Sequence, residues 1–279
     1  MYIAEKFNIG KDNLATHQWY SEKNKENIFY FHGMQSHGGW CSELGTYLQN
    51  KGVNLFILDR RGSGRSDGNR GDISDKKLLL QDYKQVIDHL FESKIKNKYC
   101  WLLGQSLGAS ILTSYLSSFA HNRYKGIILV APALGQVRVK NSGEDIDSWS
   151  NKDSDAYIPI NLPTEFYTQN QKYINFIEKD PLAIKQITFS TKKTMLDLDD
   201  SYINSEITNM NYRAYLMIPK EDKINFIEKS ENVAKKFYGK NNVKKYIFNT
   251  EDHYLEYSSA KDDYFSTLLS IVTGGGENV

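Results

Sequence analysis

Cysteine and proline are scarce in this chain of 279 residues, which contains two of the former and five of the latter. Cys41 and Cys100 belong neither to a cluster with metal-ligand spacing nor to a framework of paired cysteines, which argues against a cysteine-bound metal and a disulfide scaffold. Asn-x-Ser/Thr glycosylation sites are absent as well. We therefore expect two free thiols and a cytoplasmic location.

Net charge and long apolar runs are also lacking. Lysine and arginine number 35 against 34 aspartate and glutamate, so the formal net charge is +1 and no overall field attracts nucleic acid or an anionic membrane. The longest apolar run, near residues 127–134, is far shorter than the ~18 residues that span a bilayer. Residues 1–6 do not resemble a signal peptide. We expect a soluble protein that acts on a small molecule and binds no nucleic acid; its oligomeric state stays open.

The chain does contain a regular alternation of short apolar runs and helix-periodic segments. Residues 2–9 and 14–20 alternate in polarity around a turn at Gly10, which predicts an N-terminal hairpin. Further strands are predicted at residues 28–31, 53–58, 99–103, 126–130, 212–218 and 243–248. Apolar strands that alternate with helices favour an α/β fold, a mostly parallel sheet covered on both faces. We expect its core at residues 1–132 and 212–273, followed by a flexible tail at 274–279.

Residues 133–211 interrupt this alternation. The segment is rich in Asn, Asp, Lys and aromatic residues, and it contains Pro159, Pro163 and Pro181. Its periodicity predicts helices near residues 164–178, 180–190 and 192–204. We interpret the segment as a helical cap inserted into the α/β core.

The pentapeptide Gly104-Gln105-Ser106-Leu107-Gly108 follows one of the apolar strands and precedes a helical pattern. Gly-x-Ser-x-Gly in this context is typical of a nucleophile elbow, in which a serine sits on a strained strand-to-helix turn and small neighbours allow close packing. Since only three positions are specified, a chance occurrence remains open on the pentapeptide alone.

Other chemically useful side chains follow other predicted strands. His32-Gly33-Met34 comes after one, Glu221-Asp222 after a second and Asp252-His253 after the last. The carboxyl ends of parallel strands share one edge of a sheet, so these groups should gather near Ser106. Their order, serine then acid then histidine, is that of the α/β-hydrolases. Glu221 and Asp222 are both open as the acid.

Several motifs together resemble the monoacylglycerol lipase and lysophospholipase branch of the α/β-hydrolases, which is grouped with serine aminopeptidase-like hydrolases. The likeness is carried by the HGxxxH-like loop 32–37, the DxRGxGxSxG-like loop 59–68, the pentapeptide 104–108, Asp180-Pro181-Leu182, Asp222-Lys223-Ile224 and His253. The chain differs from that branch at Gln105, where histidine is usual.

The resemblance implies an α/β-hydrolase fold and a serine hydrolase that cleaves a carboxylic ester, such as a monoacylglycerol, a lysophospholipid or a similar small acyl ester. Ser106 would be the nucleophile, His253 the base and then the acid, and Asp222 the group that orients the imidazole. The backbone N–H groups of Met34 and Leu107 would hold the oxyanion. This chemistry requires no metal and no organic cofactor.

Several assignments have alternatives. The side chains that could bind substrate are His37, Met195, Leu198 and Tyr202, and the last three are equally compatible with packing inside the cap. We expect His17 to lie at the surface, and Asp197, Asp199 and Asp200 to form a solvated face of the cap. The same triad would serve a thioesterase, an acyltransferase or a peptidase, and the same fold could serve a non-catalytic ligand receptor.

Overall fold

The computed structural model describes residues 1–95, 98–119, 122–205, 210 and 212–274. The strands are β1 Tyr2–Ile9, β2 Asp12–Trp19, β3 Glu26–Phe31, β4 Val53–Leu58, β5 Cys100–Gln105, β6 Tyr124–Val130, β7 Tyr157–Pro159, β8 Gln186–Thr188, β9 Ala214–Pro219 and β10 Val243–Phe248. The α-helices are α1 Ser42–Asn50, α2 Lys76–Leu90, α3 Leu107–Ser118, α4 Val137–Lys140, α5 Gly143–Ser148, α6 Gln171–Lys179, α7 Phe189–Ile203, α8 Ile227–Tyr238 and α9 Lys261–Thr273. Of the predicted tail, only Gly274 lies within the described residues.

Eight strands form one twisted sheet in the order β1-β2-β4-β3-β5-β6-β9-β10. The hairpin of β1 and β2 is antiparallel, as its alternation predicted, and β2 joins β4 antiparallel. All pairs from β4 to β10 across the sheet are parallel. The carboxyl ends of β3, β5, β9 and β10 therefore open on the same edge, and this edge positions the candidate site.

Hydrophobic layers cover both faces of the sheet, which explains why its strands read as continuous apolar runs. Phe29 and Phe31 of β3 point into one layer, with residues of α2, α3 and α8. Ile28 and Tyr30 point into the other, with residues of α1 and α9. Successive side chains of a strand face opposite sides, so burial on both sides demands apolar residues at every position. The predicted α/β class is confirmed.

The segment between β6 and β9 differs from its prediction in one helix. Of the helix predicted at 180–190, only Phe189 and Ser190 are helical, as the start of α7. Residues 180–188 are not helical, because α6 ends at Lys179 and Asp180 takes an extended conformation before Pro181. β8 follows and pairs antiparallel with β7 in a separate two-stranded sheet. Thr188 then caps α7 by accepting a hydrogen bond from the Thr191 N–H at 3.1 Å. No helix among the described residues is long and apolar enough to cross a bilayer.

Candidate functional site

Ser106 lies on a sharp turn between β5 and α3 with φ 53° and ψ −121°, a conformation that non-glycine residues rarely adopt. The flanking glycines have a direct steric cause. A Cβ on Gly108 would lie 1.9 Å from the Phe31 carbonyl oxygen, and one on Gly104 would lie 2.6 Å from Ala109 Cα. The two glycines therefore let α3 pack against the sheet while the Ser106 side chain projects from the turn.

His253 and Asp222 form a buried pair in the loops after β10 and β9, at the edge of the sheet where β5 also ends. The His253 Nδ1 lies 2.8 Å from Asp222 Oδ2, and both side chains are at most 1% exposed. The other carboxylate oxygen accepts hydrogen bonds from the N–H groups of Ile224 at 2.8 Å and Asn225 at 3.0 Å. Glu221, the alternative acid, is exposed. The geometry therefore favours Asp222 as the partner of the histidine.

The electrostatics of Asp222 match a permanently charged partner. Burial by itself would raise the pKa of its carboxyl, but attraction to His253 and the three hydrogen bonds hold that pKa below its ordinary value. The carboxylate is thus ionised at neutral pH. With Nδ1 directed at Asp222, the His253 Nε2 is the nitrogen available to a second partner. No hydrogen bond joins Ser106 Oγ to His253 in the described part of the chain, and such contacts often tighten only when substrate binds.

The loop after β3 is held from behind by a fully buried arginine that the sequence reasoning did not single out. The Arg60 guanidinium donates a hydrogen bond to the Gly33 carbonyl at 2.7 Å and another to the Met34 carbonyl. The Arg60 N–H donates to His32 Nε2 at 3.1 Å, and burial lowers the pKa of His32, so this ring is neutral. Two fixed carbonyls fix the peptide planes around Met34, whose N–H is one of the predicted oxyanion donors.

A cavity of about 260 Å³ lies between the core and the inserted segment. Ser106, Leu107 and Met34 line its core side, and the opposite wall is mainly apolar, with contributions from Trp149, Ile158, Ile160, Leu162, Ile187 and Met195. Ser106, Met34 and Leu107 thus line the same cavity. Its lining fits an apolar chain with few polar groups.

Of the four predicted substrate-binding residues, one lines the cavity and three do not. Met195 lines the cavity. Leu198 and Tyr202 are buried in the hydrophobic layer shared with α2, α3 and α8, so they pack the insertion against the core and do not line the cavity. His37 is also buried and off the cavity wall, because its Nε2 contacts Asp180 Oδ2 at 2.9 Å.

Asp199 corrects the expectation of a solvated acidic face. It is 2% exposed and accepts hydrogen bonds from the Val137 N–H at 3.0 Å, the Gly135 N–H at 3.3 Å, the Ser110 hydroxyl at 3.2 Å and the Tyr202 hydroxyl. Asp197 is exposed and Asp200 forms an ion pair with Arg138 at 2.7 Å. Asp199 is therefore a buried clamp between α7 and the loop after β6.

His17 is buried too, against expectation, and the cause is the acidic residue at the start of the 59–68 loop. His17 Nε2 lies 3.0 Å from Asp59 Oδ2, which also accepts from the Arg65 N–H at 2.9 Å, while Oδ1 accepts from the Gly38 N–H at 2.7 Å. Burial opposes ionisation, but these partners lower the pKa of Asp59 to about 2. His17, His37 and Asp59 lie close enough together to hold a metal ion, yet each has protein partners, so the cluster fastens the loops after β3 and β4 to strand β2.

Residues 22–254, which are more than half of the chain, match the family described as Serine aminopeptidase, S33. The chain belongs to this family.

Relatives of this S33-family chain include esterases. Monoglyceride lipase from Homo sapiens is 29% identical over 108 residues, which are 39% of this chain and 35% of that protein. Protein phosphatase methylesterase 1 from Candida albicans is 32% identical over 112 residues, 39% of this chain and 30% of that protein. The chain therefore spans about a third of the length of these relatives.

A solved structure extends the likeness to nearly the whole chain. A soluble variant of monoglyceride lipase from Saccharomyces cerevisiae, in complex with a substrate analog, has a TM-score of 0.83 and 17% identity, covering 97% of this chain and 94% of that chain. At this identity the likeness concerns the fold, and it confirms the α/β-hydrolase fold with a mostly parallel sheet.

Gln105 is the position at which this S33-family chain departs from the pattern expected before the serine. Its side chain is 1% exposed and lies under the loop after β3: a Cβ on Gly33 would meet Gln105 Oε1 at 2.5 Å and Tyr254 Oη at 2.9 Å. Gly33 is therefore required by the packing of the loop on Gln105 and Tyr254. Gln105 therefore packs against the same loop whose carbonyls accept hydrogen bonds from Arg60.

Proposed function

We propose that this chain is a serine hydrolase that cleaves a carboxylic ester, such as a monoacylglycerol, a lysophospholipid or a similar small acyl ester, through an acyl-enzyme on Ser106. The observation that carries the proposal is the arrangement at one edge of the sheet. A strained serine lines an apolar cavity, and a buried histidine bound to a carboxylate lies at the same edge.

The proposed reaction begins with attack of Ser106 Oγ on the ester carbonyl carbon while His253 Nε2 takes the hydroxyl proton. Asp222 holds Nδ1, which fixes the tautomer and stabilises the imidazolium that forms. The tetrahedral intermediate collapses as His253 returns the proton to the departing alcohol oxygen. Water then attacks the acyl-serine by the same route and releases the carboxylic acid.

The oxyanion would be bound by the N–H groups of Met34 and Leu107. Leu107 is the first residue of α3, where backbone N–H groups lack partners within the helix and the helix dipole favours negative charge. Met34 belongs to the loop whose carbonyls Arg60 fixes. Such preorganised donors stabilise charge that appears only in the transition state.

Backbone strain supports an enzyme over a ligand receptor. Holding Ser106 in its conformation costs on the order of 1–3 kcal/mol, and strain of this kind persists where function requires it. A receptor that only encloses an apolar ligand needs no projecting serine. The names of the two relatives, a lipase and a methylesterase, agree with ester cleavage.

The decisive experiment compares the wild-type chain with Ser106→Ala on p-nitrophenyl esters, monoacylglycerols, lysophospholipids, an acyl thioester and an aminoacyl p-nitroanilide. We expect ester hydrolysis by the wild type and a loss of at least ~10⁴ in kcat in the variant, because the triad acts as a unit. A fluorophosphonate probe should label the wild type alone. Retained hydrolysis in Ser106→Ala, or a folded wild type that resists the probe and cleaves no ester, would reject the proposal.

A further inference from the structure

Two lysines interrupt the apolar wall of the cavity. Lys140 lies at the end of α4 and Lys192 on the first turn of α7, and both belong to the inserted segment. Each contributes to the lining of the same cavity that Ser106 faces. Ammonium groups are costly to place beside apolar surface unless an anion or a hydrogen-bond acceptor meets them.

Lys140 has a neutral partner only. Its Nζ donates a hydrogen bond to Asn225 Oδ1 at 2.8 Å, and no carboxylate of the described residues lies within 4 Å of it. Its surface is largely accessible, and part of that surface is cavity wall. The protein nevertheless surrounds the ammonium closely enough for desolvation to lower its pKa, against weaker attraction from Asp222 and Asp199. An ammonium bonded to a single amide keeps donors free for a ligand.

Lys192, the second lysine of the cavity wall, is half-buried. Its Nζ lies 4.3 Å from the centre of the Trp149 ring, and it too has no ion-pair partner within the described part of the chain. Desolvation lowers its pKa, and Asp145 at longer range opposes this effect. The contact with Trp149 orients the ammonium without neutralising it.

Asp199, the one carboxylate among the described residues that line the cavity, offsets these charges only in part. Asp199 already accepts hydrogen bonds from two backbone N–H groups and two hydroxyls, which direct its charge toward the loop after β6. Among the described lining residues there are thus two cations and one anion, whose oxygens already accept four hydrogen bonds. The whole chain has a formal net charge of only +1, so this local excess is not a general property of its surface.

We infer that the cavity takes an ester substrate bearing an anionic group, a carboxylate or a phosphate, which Lys140 and Lys192 bind while Ser106 attacks the ester. This inference rests on the proposed function and narrows its substrate class to amphiphilic anionic esters. The apolar wall receives the chain, and the lysines receive the charge.

The route from Lys140 to the catalytic residues is short. Asn225, which accepts from Lys140, donates its own backbone N–H to Asp222 at 3.0 Å and its side-chain amide to the Ala131 carbonyl at 3.0 Å. A ligand anion at Lys140 would therefore be linked to Asp222, the acid of the proposed triad, through Asn225 alone. Removal of Lys140 can disturb Asp222 through Asn225, so the test must use ratios between substrates.

The experiment uses two matched pairs of esters. On the acyl side, p-nitrophenyl valerate is compared with mono-p-nitrophenyl glutarate, which adds a terminal carboxylate. On the alcohol side, 1-lauroylglycerol is compared with its 3-phosphate, below the critical micelle concentration. We expect kcat/KM to be about tenfold higher for the charged member of at least one pair, as a charge-assisted hydrogen bond supplies. The preference should shrink between 0.05 and 0.5 M NaCl.

Variants of the two lysines then test whether Lys140 and Lys192 cause the preference for charged esters. Lys140→Met and Lys192→Met should each lower kcat/KM for the charged ester about tenfold more than for its neutral match, and Lys140→Arg should restore part of the ratio. Lys152→Met, which removes an exposed lysine of the same segment, should leave both members of each pair as in the wild type. Binding of octyl phosphate to Ser106→Ala, measured by calorimetry, should weaken in the lysine variants and not in Lys152→Met.

Three outcomes distinguish the proposed hydrolase activity from the proposed preference for anionic esters. Hydrolysis of all esters with no charge preference, or equal losses for charged and neutral esters in Lys140→Met, would overturn this inference and leave the proposed hydrolase intact. Cleavage of no ester by folded, probe-resistant wild type would overturn the proposed function and the inference together. A charge preference that Lys140→Met or Lys192→Met abolishes would support both.

Discussion

The floor of the cavity, formed by the loops after β3, β5, β9 and β10, differs in construction from its roof, formed by residues 133–205. The floor is set by backbone geometry: a strained serine, glycines that admit close packing and a carboxylate bound by two N–H groups. The roof is attached by a few backbone hydrogen bonds, such as Ile184 N–H to the Gln35 carbonyl at 3.0 Å, and by side chains, above all the carboxylates of Asp180 and Asp199. We infer that the floor determines the reaction and the roof determines the substrate.

The largest loss of activity is expected from a substitution in the floor, at Asp222. Asp222→Asn should lower kcat for an activated ester by about 10⁴, because the amide cannot hold His253 in the tautomer that leaves Nε2 free to accept a proton. The matched control is Glu221→Gln, which changes the exposed neighbour and should stay within about twofold of the wild type. Steady-state kinetics on one p-nitrophenyl ester decides it. A comparable loss in both variants, or in Glu221→Gln alone, would remove Asp222 from the mechanism.

A smaller loss is expected behind the oxyanion loop. Arg60→Met removes the donors to the Gly33 and Met34 carbonyls, so the Met34 N–H should lose its fixed direction. We expect kcat to fall about 10²-fold with little change in KM, the size of losing one oxyanion donor. Arg60→Lys, which can still reach one carbonyl, should recover part of kcat.

The readout for Arg60 must separate positioning from folding. Fluorophosphonate labelling of Ser106 should slow in Arg60→Met in proportion to kcat, while the far-ultraviolet circular dichroism and cooperative unfolding persist. If KM rises and kcat holds, or if Arg60→Lys is as impaired as Arg60→Met at equal stability, Arg60 does not position the loop.

Sequence reasoning succeeded where the backbone dictates residue type. Apolar runs predicted the central strands β3, β4, β5, β6 and β9, because burial on both faces leaves few alternatives, and alternating polarity predicted the hairpin of β1 and β2. The two glycines around Ser106 have the steric cause that the pattern implied. The assignments of Ser106, Asp222 and His253 remain predictions that the geometry favours. Long-range packing was harder to foresee. Nothing local in the sequence marks Arg60 as buried.

The roof was predicted least well, for a related reason. Some of its polar residues are buried by contacts with the core, so the polarity of a residue no longer indicates its exposure. Asp199 looked solvated because it belongs to an acidic run with Asp197 and Asp200, whereas three donors from distant parts of the chain and the Tyr202 hydroxyl of the same helix surround it. The predicted helix at 180–190 failed because pairing with β7 overrides local periodicity.

The smallest effect, and the sharpest test of the roof, is expected at Asp180. Its Oδ2 accepts from Trp40 Nε1 at 2.6 Å and His37 Nε2 at 2.9 Å, and its Oδ1 accepts from the Leu182 N–H at 2.8 Å. Asp180→Ala leaves these donors without their carboxylate, which costs about 1–3 kcal/mol of stability, and it loosens the roof where it meets the loop after β3, while Asp222 keeps its own contacts. We expect kcat/KM to change only several-fold, and unequally for acetyl and octanoyl p-nitrophenyl esters.

The unequal change in kcat/KM for the two esters is what tests the role of the roof. The ratio of kcat/KM between octanoate and acetate should move about three- to fivefold in Asp180→Ala, because only the longer chain extends along the roof, and it should stay fixed in Asp147→Ala, an exposed residue of α5 in the same segment. A uniform loss for both esters would mean that Asp180 acts on the floor through His37 and the loop 33–37. The division between a floor that reacts and a roof that selects would then fail at this contact.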